Sequence, residues 1–171
     1  PLHGPVLHEN LGYYMSLYDT WSSYKPEAEG VFIAYASIHG NTANAACAIA
    51  DMFRAAGVKV SLADLSRDDM AEAIEDAFKY DRMIVAASSY DGDLFPPMYD
   101  FLHHLQLKNY QNRKVGLVEN GSWAPSAGRV MRKMLEEMKG ITIASPMVTL
   151  RSALKPSDME RVQTLVTEMS K

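Results

Sequence analysis

Apolar residues recur along this chain in two alternating rhythms. Short runs of strand-forming residues fall at 31–36, 58–63, 82–87, 114–118 and 141–150. Between and after them, stretches at 42–56, 68–78, 96–107, 125–139 and 156–169 repeat apolar positions at helical spacing. The breaks carry the right chemistry. Gly57 and Gly140 stop helices, and Pro96-Pro97 opens one, because a first-turn residue needs no amide hydrogen. The run Met83-Ile84-Val85 is apolar without alternation, as expected for a strand buried on both faces. Pro146 fits only near a sheet edge.

Strands alternating with helices make βαβ units. The pattern therefore predicts an α/β fold, a doubly wound five-stranded parallel sheet in the order 2-1-3-4-5 with helices on both faces. In such a sheet the ligand crevice lies at the carboxyl ends of strands 1 and 3. Residues 1–30 stand outside the repeat. Tyr13, Tyr14, Leu17, Tyr18, Trp21 and Tyr24 form an aromatic stripe at near-helical spacing over 11–24. We expect 1–30 to be a linker and helix from an upstream domain, and 31–171 to be the ligand-binding domain. The chain opens at Pro1 rather than methionine, as a processed protein or a piece of a longer one would.

Composition narrows the functions. A formal charge of −4 gives no basic surface for nucleic acid, and no apolar run reaches the roughly 20 residues of a membrane span. The first residues do not read as a signal peptide, and none is expected. The single cysteine, Cys47, cannot form an internal disulfide, which points to a reducing cytoplasm. It is expected as a small core residue on a helix.

The predicted topology brings three loops together, and each suits part of one ligand. The first is Ser37, Ile38, His39, Gly40, Asn41 and Thr42. A helix N-terminus there offers free amides and the positive dipole end, Ser37 and Thr42 add hydroxyls, Asn41 a carboxamide, and Gly40 close backbone approach. With no lysine in the loop, it is neither a Walker A loop nor a dinucleotide turn. The second, Ser88, Ser89, Tyr90, Asp91 and Gly92, supplies hydroxyls, a flat aromatic face and a turn that reorients easily. The third, Glu119, Asn120, Gly121, Ser122 and Trp123, puts an indole at a loop tip, where exposure is costly unless it stacks on a ligand. Together they describe a pocket for a flat ring with a phosphate tail. Asp91, Asp93 and Glu119 would disfavour added negative charge on such a ring.

At these residues the chain resembles the flavodoxin superfamily, with His39 standing where the phosphate loop Ser/Thr-x-Thr-Gly-x-Thr has its middle hydroxyl residue. It is more closely similar to the flavodoxin-like domain of flavodiiron proteins (A-type flavoproteins). Tyr35-Ala36-Ser37, Tyr90, Leu94-Phe95-Pro96-Pro97 and Trp123 carry that likeness, as do His3-Gly4-Pro5, Tyr18-Asp19-x-Trp21-Ser22 and Tyr24-x-Pro26-Glu27 near the start. The second and third loops depart from the family's usual Pro-Thr-Tyr-Asn and Gly-Ser-x-Gly-Trp.

The resemblance implies a flavodoxin-like fold, one flavin mononucleotide (FMN), and electron transfer. The donor would be a rubredoxin-like protein or an NAD(P)H-dependent reductase. The acceptor would be a diiron domain of the full-length protein, reducing oxygen or nitric oxide, and a homodimer is compatible. His3 matches a metal ligand of that family, but the His-x-Glu-x-Asp-His cluster is absent from this chain, so no diiron site is expected on it. His103-His104 lie about 100° apart on a helix and read as a solvated face. No nucleophile–base pair is evident. The rivals are a stand-alone flavodoxin, a small FMN-dependent quinone-type reductase, and a module that binds a partner without flavin. A phosphoryl-accepting receiver domain is excluded, because Ala36-Ser37 and Ala87-Ser88 stand where its acidic residues belong.

Overall fold

The alternation within the first apolar run decides the architecture. In β1 (Ala28–Ala36), Val31 and Ile33 point to one side of the sheet and Phe32 and Ala34 to the other, all four fully buried. Each side therefore needs its own layer of helices. The structure, a computed structural model that describes residues 4–171, supplies both. The later elements are α2 (Asn41–Ala55), β2 (Val60–Asp64), α3 (Met70–Lys79), β3 (Tyr80–Tyr90), β4 (Asp93–Leu94), α4 (Pro96–Leu107), β5 (Lys114–Asn120), α5 (Ala127–Glu136), β6 (Thr142–Ile143), β7 (Val148–Leu150) and α6 (Met159–Met169). Helices α2 and α6 cover Val31, Ile33, Ile84 and Val118, while α3, α4 and α5 cover Phe32, Met83, Val85 and Leu117. The parallel sheet runs β2-β1-β3-β5-β6, with β7 also paired to β5. That is the predicted 2-1-3-4-5 order of a flavodoxin-like α/β fold.

Several boundaries differ from expectation, each for a local reason. The second strand starts at Val60 rather than 58, because the Val58 amide closes the preceding helix by donating to the Phe53 carbonyl at 3.0 Å. The third strand continues past 87 to Tyr90, because Ser89 and Tyr90 fold back as a hairpin against Leu94 and Asp93. Its turn, Asp91-Gly92, has both φ angles positive (49° and 73°), which an Asp-Gly pair adopts readily. The fifth strand, expected as one run over 141–150, is two short pieces, with Pro146 between them unable to donate to the ladder. The helix expected at 125–139 spans only Ala127–Glu136.

Cys47 is a correction. It lies exposed on α2, one residue past Ala46, because the buried face of that helix is already made by Thr42, Ala45, Ala46, Ile49, Ala50 and Phe53. His103 and His104 are both exposed on α4.

Helix α1 (Leu11–Ser22) buries no residue, and Tyr13, Tyr14, Tyr18 and Trp21 are exposed. Polar contacts tie its end to the domain. The Trp21 indole donates to the Glu27 carboxylate at 2.7 Å, and buried Arg113 donates to the carbonyls of Tyr24, Phe78 and Tyr80 at 2.8–2.9 Å. Removal from water pulls the Arg113 guanidinium below its ordinary pKa, and carbonyl dipoles rather than a carboxylate are its hydrogen-bond partners. His3 lies outside the described residues.

Candidate flavin cleft

Three parallel strands end side by side, and the loops that leave them enclose a cleft of about 230 Å³. Ser37, Ile38, His39, Asn41 and Thr42 line it from the first loop, Ser88 and Ser89 from the second, and Asn120, Gly121 and Ser122 from the third. All three loops singled out from the sequence contribute to this lining. The sequence missed a fourth contributor, Ser152, which follows β7 and also lines the cleft. The available signal was position alone: Ser152 leaves the last strand at the same sheet edge.

The first loop is built to keep donors free. Gly40 sits at the N-cap of α2 with φ 85°, a conformation that strains any residue bearing a Cβ, and open space surrounds it. The Ser37 hydroxyl accepts the Gly40 amide at 3.1 Å and so shapes the turn. No side chain caps α2. Among the described residues, the amides of Asn41, Thr42 and Ala43 have no acceptor. Three N–H groups and the positive end of a 15-residue helix thus face one spot. Neighbouring groups fix its walls, with Thr42 Oγ1 and Ser88 Oγ 3.0 Å apart and Asn41 donating to Ser152 Oγ at 3.2 Å.

Other predicted residues perform different work. Ser89 Oγ accepts the amides of Ser126 and Ala127 at 2.8 and 3.2 Å. The Glu119 carboxylate, 6% exposed, turns away from the cleft. It accepts the Gly128 amide and the Thr149 hydroxyl, both at 2.8 Å. Its oxygens are thus spent on the N-terminus of α5 and on Thr149. Asn120 is also committed, since its carboxamide donates to the Ser152 carbonyl at 2.8 Å and accepts the Ser152 amide at 3.0 Å. Tyr90, Asp91, Gly92 and Trp123 do not line the enclosed cleft. Tyr90 is 45% exposed and its ring lies 5.8 Å from that of Phe95, while Trp123 is 93% exposed.

A profile of the flavodoxin family matches residues 33–162. The chain belongs to that family. A putative diflavin flavoprotein A from Thermosynechococcus vestitus is 25% identical over 172 residues, 99% of this chain but 29% of that protein. Among solved structures, rubredoxin:oxygen oxidoreductase from Desulfovibrio gigas superposes with a TM-score of 0.86 at 19% identity, over 94% of this chain and 39% of that one. A flavodoxin from the domain Archaea gives a TM-score of 0.71 at 19% identity, covering 84% of this flavodoxin-family chain and 96% of its own. At these identities the superpositions speak for the fold. The chain spans well under half the length of the two larger proteins.

The residues present fit FMN. The half-open cleft suits the ribityl phosphate tail, with room for the ring at its open rim. Its chemistry is that of a phosphate seat, with unspent helix amides surrounded by neutral hydroxyls. The exposed rings of Tyr90 and Trp123 suit a flat heterocycle at the rim. Among the described residues, no three His, Cys, Asp or Glu side chains converge as metal ligands, and no helix is long and apolar enough to cross a membrane.

Proposed function

We propose that this chain is the flavin module of a flavodiiron oxygen or nitric oxide reductase. As a flavodoxin-family domain it is an FMN module that carries electrons. The open N-terminus of α2 carries the reading, because it is a seat for a terminal phosphate monoester that the protein leaves otherwise unsatisfied. The amides of 41–43, with the Ser37 and Thr42 hydroxyls, would hold the phosphate. Ser88, Ser122 and Ser152 would face the ribityl chain, and Tyr90 and Trp123 the ring. FMN supplies one- and two-electron redox chemistry when bound, and the chain supplies position and a cleft lined by hydroxyl, carboxamide and imidazole side chains.

The flavodiiron assignment over a stand-alone flavodoxin rests on the segment ahead of β1. The diflavin relative aligns over 99% of this chain, helix α1 included, whereas the archaeal flavodoxin covers 84%. On this reading residues 1–30 connect to a diiron domain, and the electron donor is a rubredoxin-like protein or a reductase. Beside Ser152, the side chains of Arg151, Lys155 and Arg161 border a cavity of about 440 Å³ with one acid, Asp158, whose carboxylate accepts the Lys155 amide at 2.9 Å. None of the three cations has a carboxylate within ion-pair distance among the described residues. An acidic donor would be drawn to that side of the cleft.

The test is the visible spectrum of the purified chain, with released flavin identified by chromatography. FMN should be recovered, and the iron-to-flavin ratio should stay near zero. A colourless protein that takes up no added FMN overturns the reading. A full diiron complement per flavin, with rapid oxygen consumption, would place the catalytic centre on this chain.

A further inference from the structure

The cleft is unusual in what it lacks. Among the residues that line it, every polar side chain but one is a neutral hydroxyl or carboxamide, and the exception is His39. We propose that His39 makes flavin binding proton-linked, by supplying as an imidazolium the one side-chain cation at the phosphate seat. The inference rests on the FMN reading above and concerns this chain's own residue.

His39 adjoins the N-cap Gly40 and lines the same cleft as Asn41 and Thr42, the first residues of α2. It is exposed and has no hydrogen-bond or ion-pair partner among the described residues, so no protein group already fixes its charge. The surrounding elements add no competing charge to the lining. The β3–β4 hairpin presents Ser88 and Ser89, while Asp91 and Asp93 lie outside the lining and Asp93 accepts the Leu94 amide. From the β5 loop come Asn120, Gly121 and Ser122, with the Glu119 carboxylate committed to α5. The segment after β7 presents Ser152, and Arg151 next to it borders the separate basic cavity. On α2 itself the nearest acid, Asp51, pairs with Arg54 at 2.8 Å.

The sign follows from two titrations. A phosphate monoester loses its second proton near pH 6, and an unperturbed imidazole near 6.5. A dianion within a few ångströms stabilises the imidazolium, so the complex holds a proton that the free chain releases. A group whose pKa rises on binding adds affinity below its free value and loses that contribution as pH climbs through the raised one. FMN should therefore bind most tightly near pH 6.5. Binding should weaken several-fold by pH 8.5 as the imidazolium and its attraction for the dianion are lost.

The experiment titrates the flavin-free chain with FMN and, separately, with riboflavin, which lacks the phosphate, from pH 6.5 to 8.5. Wild-type protein should lose FMN affinity several-fold over that range and show a flat profile with riboflavin. His39→Thr, which restores the hydroxyl residue of the family pattern, should be flat with both ligands and weaker for FMN at pH 6.5. His39→Arg should hold FMN tightly at every pH. Calorimetry near pH 7 in buffers of different ionisation enthalpy should detect proton uptake with wild type and none with His39→Thr. A flat FMN profile in wild type, or equal slopes for FMN and riboflavin, overturns the proposal and leaves the FMN reading standing. Failure to bind either flavin overturns that reading instead.

Discussion

Helices α2 and α5 end their N-termini at the same edge of the sheet, and their chemistry is opposite. At α2 the N-cap is a glycine, no side chain caps the helix, no acid lies in the first turn, and three amides are unspent. At α5 the protein completes the helix from within, through Ser89 at the Ser126 and Ala127 amides and Glu119 at the Gly128 amide. A polar strand-to-helix turn is thus a phosphate seat only where the chain withholds its own acceptors. Where it supplies them, the same turn becomes part of the scaffold.

That contrast can be broken from either side. Glu119→Ala should have the largest effect, since it strands the buried Gly128 amide. Unfolding of the apoprotein in urea should register a loss of about 2–3 kcal/mol, with FMN affinity changed by less than about threefold. A stable variant with crippled flavin binding would instead put Glu119 at the ligand. Asn41→Asp gives α2 the carboxylate that α5 already has. It should cost more than about tenfold in FMN affinity through like-charge repulsion, and leave riboflavin binding unchanged. If riboflavin suffers equally, the phosphate is seated elsewhere. Trp123→Ala should weaken both flavins by about tenfold or less, because ring stacking contributes roughly 0.5–1.5 kcal/mol beyond area burial. Flavin emission should brighten as a quencher is lost, and unchanged emission would separate the indole from the ring. Arg161→Gln should have the smallest effect, slowing association of an acidic one-electron carrier by about threefold at low salt. The difference should vanish at high salt, where exposed charges are screened. An unchanged rate at low salt would move the docking surface away from the basic cavity.

The sheet order was legible because each strand announces itself twice, by composition and by the turn residues that bound it. Strand ends were less so, since Val58 and Ser88–Tyr90 carry strand-like composition whichever way their amides pair. At the cleft, Ser37 through Thr42 could be singled out because a glycine and two hydroxyl residues ahead of a helix leave its amides open to a ligand, although the same residues also serve as ordinary caps. Glu119 could not. Its place after a strand suggested the cleft, but a strand alternates its side chains, and Thr149 on the neighbouring strand receives it. Ser152 went unseen because one serine after the last strand is indistinguishable from an ordinary turn. Cys47 misled for a similar reason, since helical phase, not residue type, turned it outward.

Helix α1 has a consequence for dynamics. Twelve residues of which none is fully buried make a helix near the limit of what water allows, and its amides have little packing to protect them. Its hydrogen-exchange rates should therefore sit far above those of β1 and β3 in the isolated chain. If, as proposed, this segment joins a further domain that covers Tyr13, Tyr14, Tyr18 and Trp21, these rates should fall in the full-length protein. The first turn of the chain's structure would then serve as a gauge of assembly, readable amide by amide without reference to the flavin at all.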